Sequence, residues 1–466
     1  MLLLALGCSE RFSSIFREPA AVFETELPVD SEYSGPPRLL DVWEGRAEFV
    51  PDSGPYGGDF AMHFPSLVWD AGRLQSFFIE NLVVDGENRS RVGRASSSDG
   101  VAFAYEGTAL DLGGAWQWTW PSLELSHGIG REDNGGWSAN TTDDAAGHLV
   151  FGPYVDDLAP GPMTVSWQLM VDNNTADSLA VLSLDVFDVT TQTVLASREL
   201  LRTDFEGTWE YEVFNLDYEQ AAGHSVEFRV YWVATSYVRV GTVAVSQGQA
   251  PFHDDRLASF PGVWKDQDGW AMVYECAGTD PSWPGDVCAA TSDDGVVWVK
   301  HAANPVLRHQ GGFESVNIGT PSLSRDAEGW TVYFHGFDGQ AVQLGVAEGA
   351  ELDALVRRDG VVLETGTGWD SGTVGRRSLH VEGDWTYMAY EGSTDPPFDV
   401  ASWSSGLARS RDGESWEKCD CNPVLPQTGS GFGFDGPEWL VWPDGSLHLL
   451  YRSDDNQTLG ASIRWK

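Results

Sequence analysis

Carboxylates recur at nearly fixed distances ahead of a repeated strand pattern. Asp59, Asp255 and Glu314 stand six or seven residues before Pro65, Pro261 and Pro321 (65 − 59, 261 − 255, 321 − 314). Asp254 adjoins Asp255, and Asp370, Asp435 and Glu438 follow later in the chain. Carboxyl groups gathered in one cleft can divide proton donation and proton acceptance, because burial and mutual repulsion push their pKa values apart. The segments that carry such acids, "GGFE", "TGWD" and "GFGFD", fit strand-joining turns equally well, so a structural and a chemical role both stay open for each. Arg376 and Arg377 form a cation pair able to orient carboxylates or hydroxyls. His63, His253 and His335 lie near the same strands, where a hydrogen-bonded structural imidazole is the default reading. Trp116, Trp118 and Trp120 alternate along one strand face, as rings packed at a junction or stacked on a flat ligand would.

The elements that must position these groups are repeats. A strand pattern, an Asp/Gly turn and an aromatic-rich second strand recur from Phe64, Phe260, Thr320, Arg376 and Gly436. The second residues, Pro65, Pro261, Pro321, Arg377 and Pro437, are spaced by 196, 60, 56 and 60. Steps near 60 fit four-stranded propeller blades. The long step exceeds them by about 137 residues, which predicts a separate domain between blades one and two. There the blade pattern gives way to alternating strands such as "MTVSWQLMV" and "SVEFRVYWVA", which read as a β-sandwich. Between blades, S-x-D-G-x-x-W occurs at Ser292–Trp298 and Ser410–Trp416, with N-P-V-L beginning ten residues after each Asp. A third copy at Ser97 has Phe103 in place of Trp. Asp accepting backbone N–H bonds, Gly at positive φ and a packed aromatic make this a turn device.

Composition excludes some functions. With 70 acidic and 28 basic residues the net charge is −42, which repels phosphate backbones and anionic lipids and disfavours nucleic-acid binding. The opening "MLLLALGCSE" resembles a lipoprotein signal ending at Cys8, without the usual preceding basic residue. Cys276 and Cys288 flank a loop between two strands, and a disulfide there fits an oxidising compartment. Cys419 and Cys421 admit a local disulfide or two thiols.

Five blades with D-G-x-x-W and N-P-V-L between them resemble the arabinanase, levansucrase and invertase superfamily of propeller glycosidases. The insert resembles a galactose-binding-type jelly roll. The resemblance implies an all-β fold: residues 1–8 a signal, 9–45 a linker, 46–111 blade one, 112–247 the inserted sandwich and 248–466 blades two to five. It implies a glycoside hydrolase, with a non-catalytic glycan-binding surface lipoprotein as the alternative. Three carboxylates around a central funnel would do the chemistry: Asp59 as base, Asp255 as pKa modulator and Glu314 as general acid. Arg376, Arg377, Asp435, Glu438 and His63 would hold the substrate. The slot before each inner-strand Pro, a frequent place for an acid in such enzymes, holds Phe64, Phe260, Thr320, Arg376 and Gly436 instead. The expected partner is a carbohydrate, with no nucleic acid, no cofactor beyond an optional structural calcium, and membrane attachment only through lipidated Cys8. The expected state is an exported monomer.

Overall fold

The computed structural model describes residues 62–84, 86–114, 118–248, 252–394, 402–426, 436–442 and 447–451. It also gives the backbone alone of residues 12–13, 47–56, 435, 452 and 458–465. Cys8, Asp59 and Trp116 lie outside the described residues, and of Asp435 only the backbone is described. The chain is all-β, with three single 3₁₀ turns and no α-helix among the described residues. It divides into two compact units, residues 1–112, 256–298 and 303–466 in the first, and 113–255 with 299–302 in the second. The expected insert ended at 247; the second unit continues to Asp255 and takes that residue with it.

The first unit consists of antiparallel meanders. The first runs through His63–Asp70, Arg73–Val84, Glu87–Ser97 and Ala104–Leu110. The second has Leu257–Asp266, Gly269–Ala277 and Asp286–Ser292. The third has Asn317–Arg325, Trp330–Phe337, Val342–Gly349 and Val356–Arg357. The fourth has Thr373–Glu382, Trp385–Ser393, Ser404–Ser410 and Glu417–Lys418. The fifth has Asp435–Val441, Leu447–Arg452 and Thr458–Trp465. Its outer strand is Ala47–Tyr56, which pairs with Thr458–Trp465. That corrects the expectation that blade one begins at residue 46: strand-edge hydrogen bonding assigns this segment to the last sheet.

Successive meanders pack face to face through apolar side chains. Val273 and Val287 meet Leu323 and Val332; Leu344 and Val346 meet Leu379 and Met388; Ala389 and Leu407 meet Trp439 and Leu449. Phe77 lies edge-on to Trp270 and Trp298, and Leu67 and Phe78 join Leu440 and Leu450. The last contact brings the fifth meander back to the first. The first strands likewise neighbour one another in sequence, the fifth against the first.

All five first strands break register at one place: between His63 and Ser66, Ser259 and Gly262, Gly319 and Ser322, Val374 and Arg377, and Asp435 and Glu438. Phe64, Phe260, Thr320 and Gly436 sit there at φ of 55°, 56°, 48° and 60°. A residue before proline favours extended backbone, and a left-handed one costs about 1–2 kcal/mol outside glycine. Such bulges re-aim side chains, and the strain is sustained by the buried groups that the bulges present.

The S-x-D-G-x-x-W segments form the turn their residues imply. Asp294 Oδ1 accepts the Val296 and Val297 N–H at 2.8 and 2.9 Å, and Asp412 Oδ1 those of Glu414 and Ser415 at 2.9 and 2.7 Å. Asn304 and Asn422 then bracket the main chain of Ala289 and Leu407 with paired side-chain bonds.

The second unit has two antiparallel sheets around one core. One holds Gly147–Val150, Val226–Trp232, Ala180–Asp188 and Thr193–Leu201, with Pro153–Val155 at Val226–Trp232. The other orders Glu212–Gln220, Gly161–Val171, Val238–Gln247, Gly136–Ala139 and Arg131–Asp133, with Trp118–Pro121 on Val238–Gln247. Trp167, Val186, Val230 and Val240 meet in the core, and Trp118 and Trp120 pack against it.

Candidate functional site

The bulges of the first unit collect ionisable groups at very low exposure. Thr320 lies among three of them. Its N–H donates to Glu275 Oε2 at 2.9 Å, its Oγ1 is 2.6 Å from His335 Nδ1, and Arg377 Nη1 donates to that Oγ1 at 3.2 Å. Gly319 beside it has no room for a side chain: a Cβ there would lie 2.1 Å from Glu275 Oε2. One strand pair further on, Glu391 accepts the Arg376 and Gly436 N–H groups at 3.2 and 3.1 Å, and the Arg376 guanidinium lies 4.6 Å from the Phe64 ring centre. Arg376 and Arg377 are fully buried.

Burial sets the proton occupancy here. It pushes Glu275 up to about 8, with Asp286 adding repulsion against the opposing Arg256 and Arg377. It pushes His335 down to about 3, helped by Arg377. Both are therefore neutral at pH 7.

Asp286 extends this cluster. It sits opposite Cys276, which is disulfide-bonded to Cys288. Its Oδ1 accepts the His309 N–H at 2.7 Å and lies 2.8 Å from His309 Nδ1. Burial raises its pKa despite His309 and Arg308. The Arg308 guanidinium stacks 3.9 Å from the ring centre of Trp283, on the loop that the disulfide closes. Glu314, in the 3₁₀ turn Gly312–Glu314, is buried with Arg357 Nε 3.0 Å away; burial raises its pKa against that pairing, and Asp286 adds to the rise. Glu275, Asp286 and Glu314 are thus three electrostatically linked carboxyls with raised pKa values.

Solved structures similar to this chain include glycoside hydrolases. A thermostable family-43 glycoside hydrolase shares 13% identity over 88% of this chain and 92% of that one, with a TM-score of 0.45. A glycosyl hydrolase from Bacteroides ovatus shares 12% over 86% and 83%, with a TM-score of 0.43. An α-L-arabinofuranosidase from Lactobacillus brevis shares 13% over 46% of this chain and 74% of that one, with a TM-score of 0.37. No family model and no curated protein matches the sequence.

The internal repeats separate scaffold from departure. Asp370 stands where Glu314 does and pairs with Lys418 at 2.5 Å, as Glu314 pairs with Arg357; each cation ends a short fourth strand. An acid fastened to a fourth-strand cation is therefore a repeated joint. Asp286 is different: the registers that pair it with Cys276 pair Gln343 with Gly336 and Ser404 with Gly392. Glu438 also departs, occupying fully buried the place of Ser66, Gly262, Ser322 and Ser378.

Of the expected site residues, Glu314, Arg376, Arg377, Glu438 and His63 lie in the first unit and Asp255 in the second. His63 is partly exposed beside Phe64, with ring centres 6.5 Å apart. Glu275, Asp286, His309 and Glu391 were not singled out from sequence. Among the described residues no cluster of three His, Cys, Asp or Glu could hold a metal ion.

Proposed function

We propose that this chain hydrolyses glycosidic bonds, with Glu275 as proton donor and Asp286 as the carboxylate that takes a proton from the attacking water. On this reading the five meanders are blades of a propeller and the second unit is a jelly roll inserted in it. The observation that carries the proposal is a carboxylic acid kept protonated at neutral pH within electrostatic reach of a carboxylate whose place holds Gln343 and Ser404 in the third and fourth meanders. Two carboxyls with separated pKa values are the chemical minimum for splitting an acetal. Glu275 gives its proton to the leaving oxygen as the glycosidic C–O bond breaks. Water supplies the new C–O bond and passes a proton to Asp286, which His309 orients. Burial raises the pKa of Asp286, whose charge in turn helps to raise that of Glu314, and Glu314 stays fastened to Arg357. The acid role expected of Glu314 thus passes to Glu275. Arg376 and Arg377 fix the groups around Thr320 and Glu391 and leave substrate contact to partly exposed side chains such as Trp283 and His63.

Two disulfides, Cys276–Cys288 and Cys419–Cys421, support export to an oxidising compartment. Lipid anchoring through Cys8 remains part of the proposal.

Glu275→Gln keeps the shape and removes the proton. It should lower turnover of unactivated oligosaccharides by about 10²–10⁴-fold while sparing dinitrophenyl glycosides, whose leaving group needs no protonation. Unchanged turnover on both substrate types would sink the assignment. The rival reading, a non-catalytic glycan binder, is favoured by the apolar cluster of Phe64 and Phe260 with Ile79, Leu257 and Ala277 at the slots before the inner-strand prolines. Glycan retention without any product from the parent protein would establish it.

A further inference from the structure

One cysteine pair has no part in the proposed hydrolysis and departs from the internal repeat. Cys419 and Cys421 lie in the turn between the strand Glu417–Lys418 and Asn422, and they form a disulfide. The second meander's matching run has no cysteine there: His301 and Ala303 stand 118 positions earlier (419 − 301, 421 − 303). Both copies are nevertheless anchored alike. Asn304 Oδ1 accepts the Ala289 N–H at 2.7 Å and its Nδ2 donates to Ala289 O at 2.9 Å; Asn422 does the same to Leu407 at 2.7 and 2.8 Å. Each amide also donates to a tyrosine hydroxyl at 3.3 Å, Tyr274 or Tyr390. Leu307 and Leu425 then exchange main-chain bonds with Val287 and Ser405 at 2.9–3.1 Å. The turn therefore forms without a sulfur bridge. Stabilisation explains the bridge poorly as well: joining residues two apart removes far less freedom from the unfolded chain than joining residues 12 apart, as Cys276–Cys288 does.

The two sulfurs are unequal. Cys419 is buried in the cluster of Leu407, Val424 and Trp439, Cys421 is half-buried at the edge of that cluster, and Asp420 between them is exposed. The Cys421 N–H donates to Cys419 Sγ at 3.3 Å. A hydrogen bond to sulfur favours its thiolate, the form in which a sulfur leaves a disulfide. Cys276 and Cys288, by contrast, are each 1% exposed.

We propose that Cys419–Cys421 is a thiol–disulfide exchange site that takes electrons from a dithiol. One thiolate of the dithiol attacks Cys421 Sγ. The S–S bond breaks and its electron pair goes to Cys419 Sγ, which the Cys421 N–H stabilises. The second thiolate of the dithiol then attacks the mixed disulfide at its own partner sulfur, and the dithiol leaves with both sulfurs joined. Cys419 and Cys421 take up the two protons it gave up. The dithiol is oxidised by two electrons and the chain is reduced by two, while the asparagine clamp keeps the turn in place. The inference is independent of the hydrolytic reading.

The test uses the full folded chain in graded reduced dithiothreitol. Samples are quenched by acid precipitation, alkylated with N-ethylmaleimide, digested and read by mass spectrometry for each cysteine peptide. Cys419 and Cys421 should become alkylated about tenfold faster than Cys276 and Cys288, with far-ultraviolet circular dichroism unchanged. Single variants read the asymmetry. Given glutathione disulfide, Cys419→Ser should form a mixed disulfide at Cys421 about tenfold faster than Cys421→Ser forms one at Cys419. The double variant Cys419→Ser/Cys421→Ser should keep the urea midpoint of the parent. Should a single variant not fold, the rates of the unaltered chain stand by themselves. Release of Cys419 and Cys421 no sooner than Cys276 and Cys288, equal trapping by two folded single variants, or a double variant that has lost the parent's circular dichroism would overturn the proposal.

Discussion

Two groups that are usually charged or half-charged flank Thr320 in uncharged form, and their pH dependences oppose each other. Glu275 has a folded-state pKa of about 8, above its unfolded value. The folded protein therefore keeps a proton that the unfolded chain gives up, and the stability this contributes falls as pH rises from about 4.5 through 8. His335, pushed down to about 3, behaves inversely: its contribution is present above about 6.5 and is lost as pH falls toward 3. Glu275→Gln should flatten the alkaline limb of a stability–pH profile and leave the acid limb, a result that urea unfolding at intervals from pH 4 to 9 would show. An unchanged alkaline limb would mean that Glu275 is ionised in the folded protein. Neither Glu275 nor Asp286 belongs to a motif. Glu275 lies inside the apolar run "WAMVYECA", and Asp286 in a loop that reads as a plain turn. The signal that could have found Asp286 was a comparison of the repeats at third-strand register, where Gln343 and Ser404 stand instead.

Strands and turns were far more legible, because their determinants are local. The S-x-D-G-x-x-W turns needed only an Asp acceptor, a Gly at φ 73° or 71° and a ring to cover it. Asp294→Ala leaves two N–H groups without that acceptor and should cost about 1–2 kcal/mol, read as a lower urea midpoint with unchanged slope. Replacing Trp298, 98% buried and edge-on to Phe77 at 5.5 Å, with Ala should cost about 3–5 kcal/mol. The Cys276–Cys288 bond spans 12 residues; the double Ser variant should lose about 3 kcal/mol, and reductant should shift its unfolding midpoint less than that of the parent, since only Cys419–Cys421 is left to reduce. Less legible was the partner of Ala47–Tyr56. Strand character can be read locally, whereas pairing with Thr458–Trp465 depends on where the chain returns. The bulge at each first strand was visible only as X-Pro spacing, since the sequence does not announce a positive φ at Phe64 or Thr320.

Across the whole chain, a net charge of −42 means that self-repulsion acts against compactness, most of all at low ionic strength. Raising sodium chloride from 10 mM to 0.5 M should raise the thermal midpoint; a fall would show that ion pairs such as Arg91–Glu80 and Arg358–Glu348 outweigh the repulsion. Splicing out residues 113–255 should leave a cooperatively unfolding β-protein, because the first unit has its own cores. The strand Ala47–Tyr56 also shapes how the protein is made. Its partner ends at Trp465, 418 residues later (465 − 47). At about 5–20 residues per second, a ribosome releases that partner roughly 20–80 s after the strand emerges. Throughout that interval the nascent chain carries an unpaired edge, the surface on which strands of neighbouring chains join. Yield in the cell should therefore depend on holdase chaperones during translation more than on the stability of the finished fold.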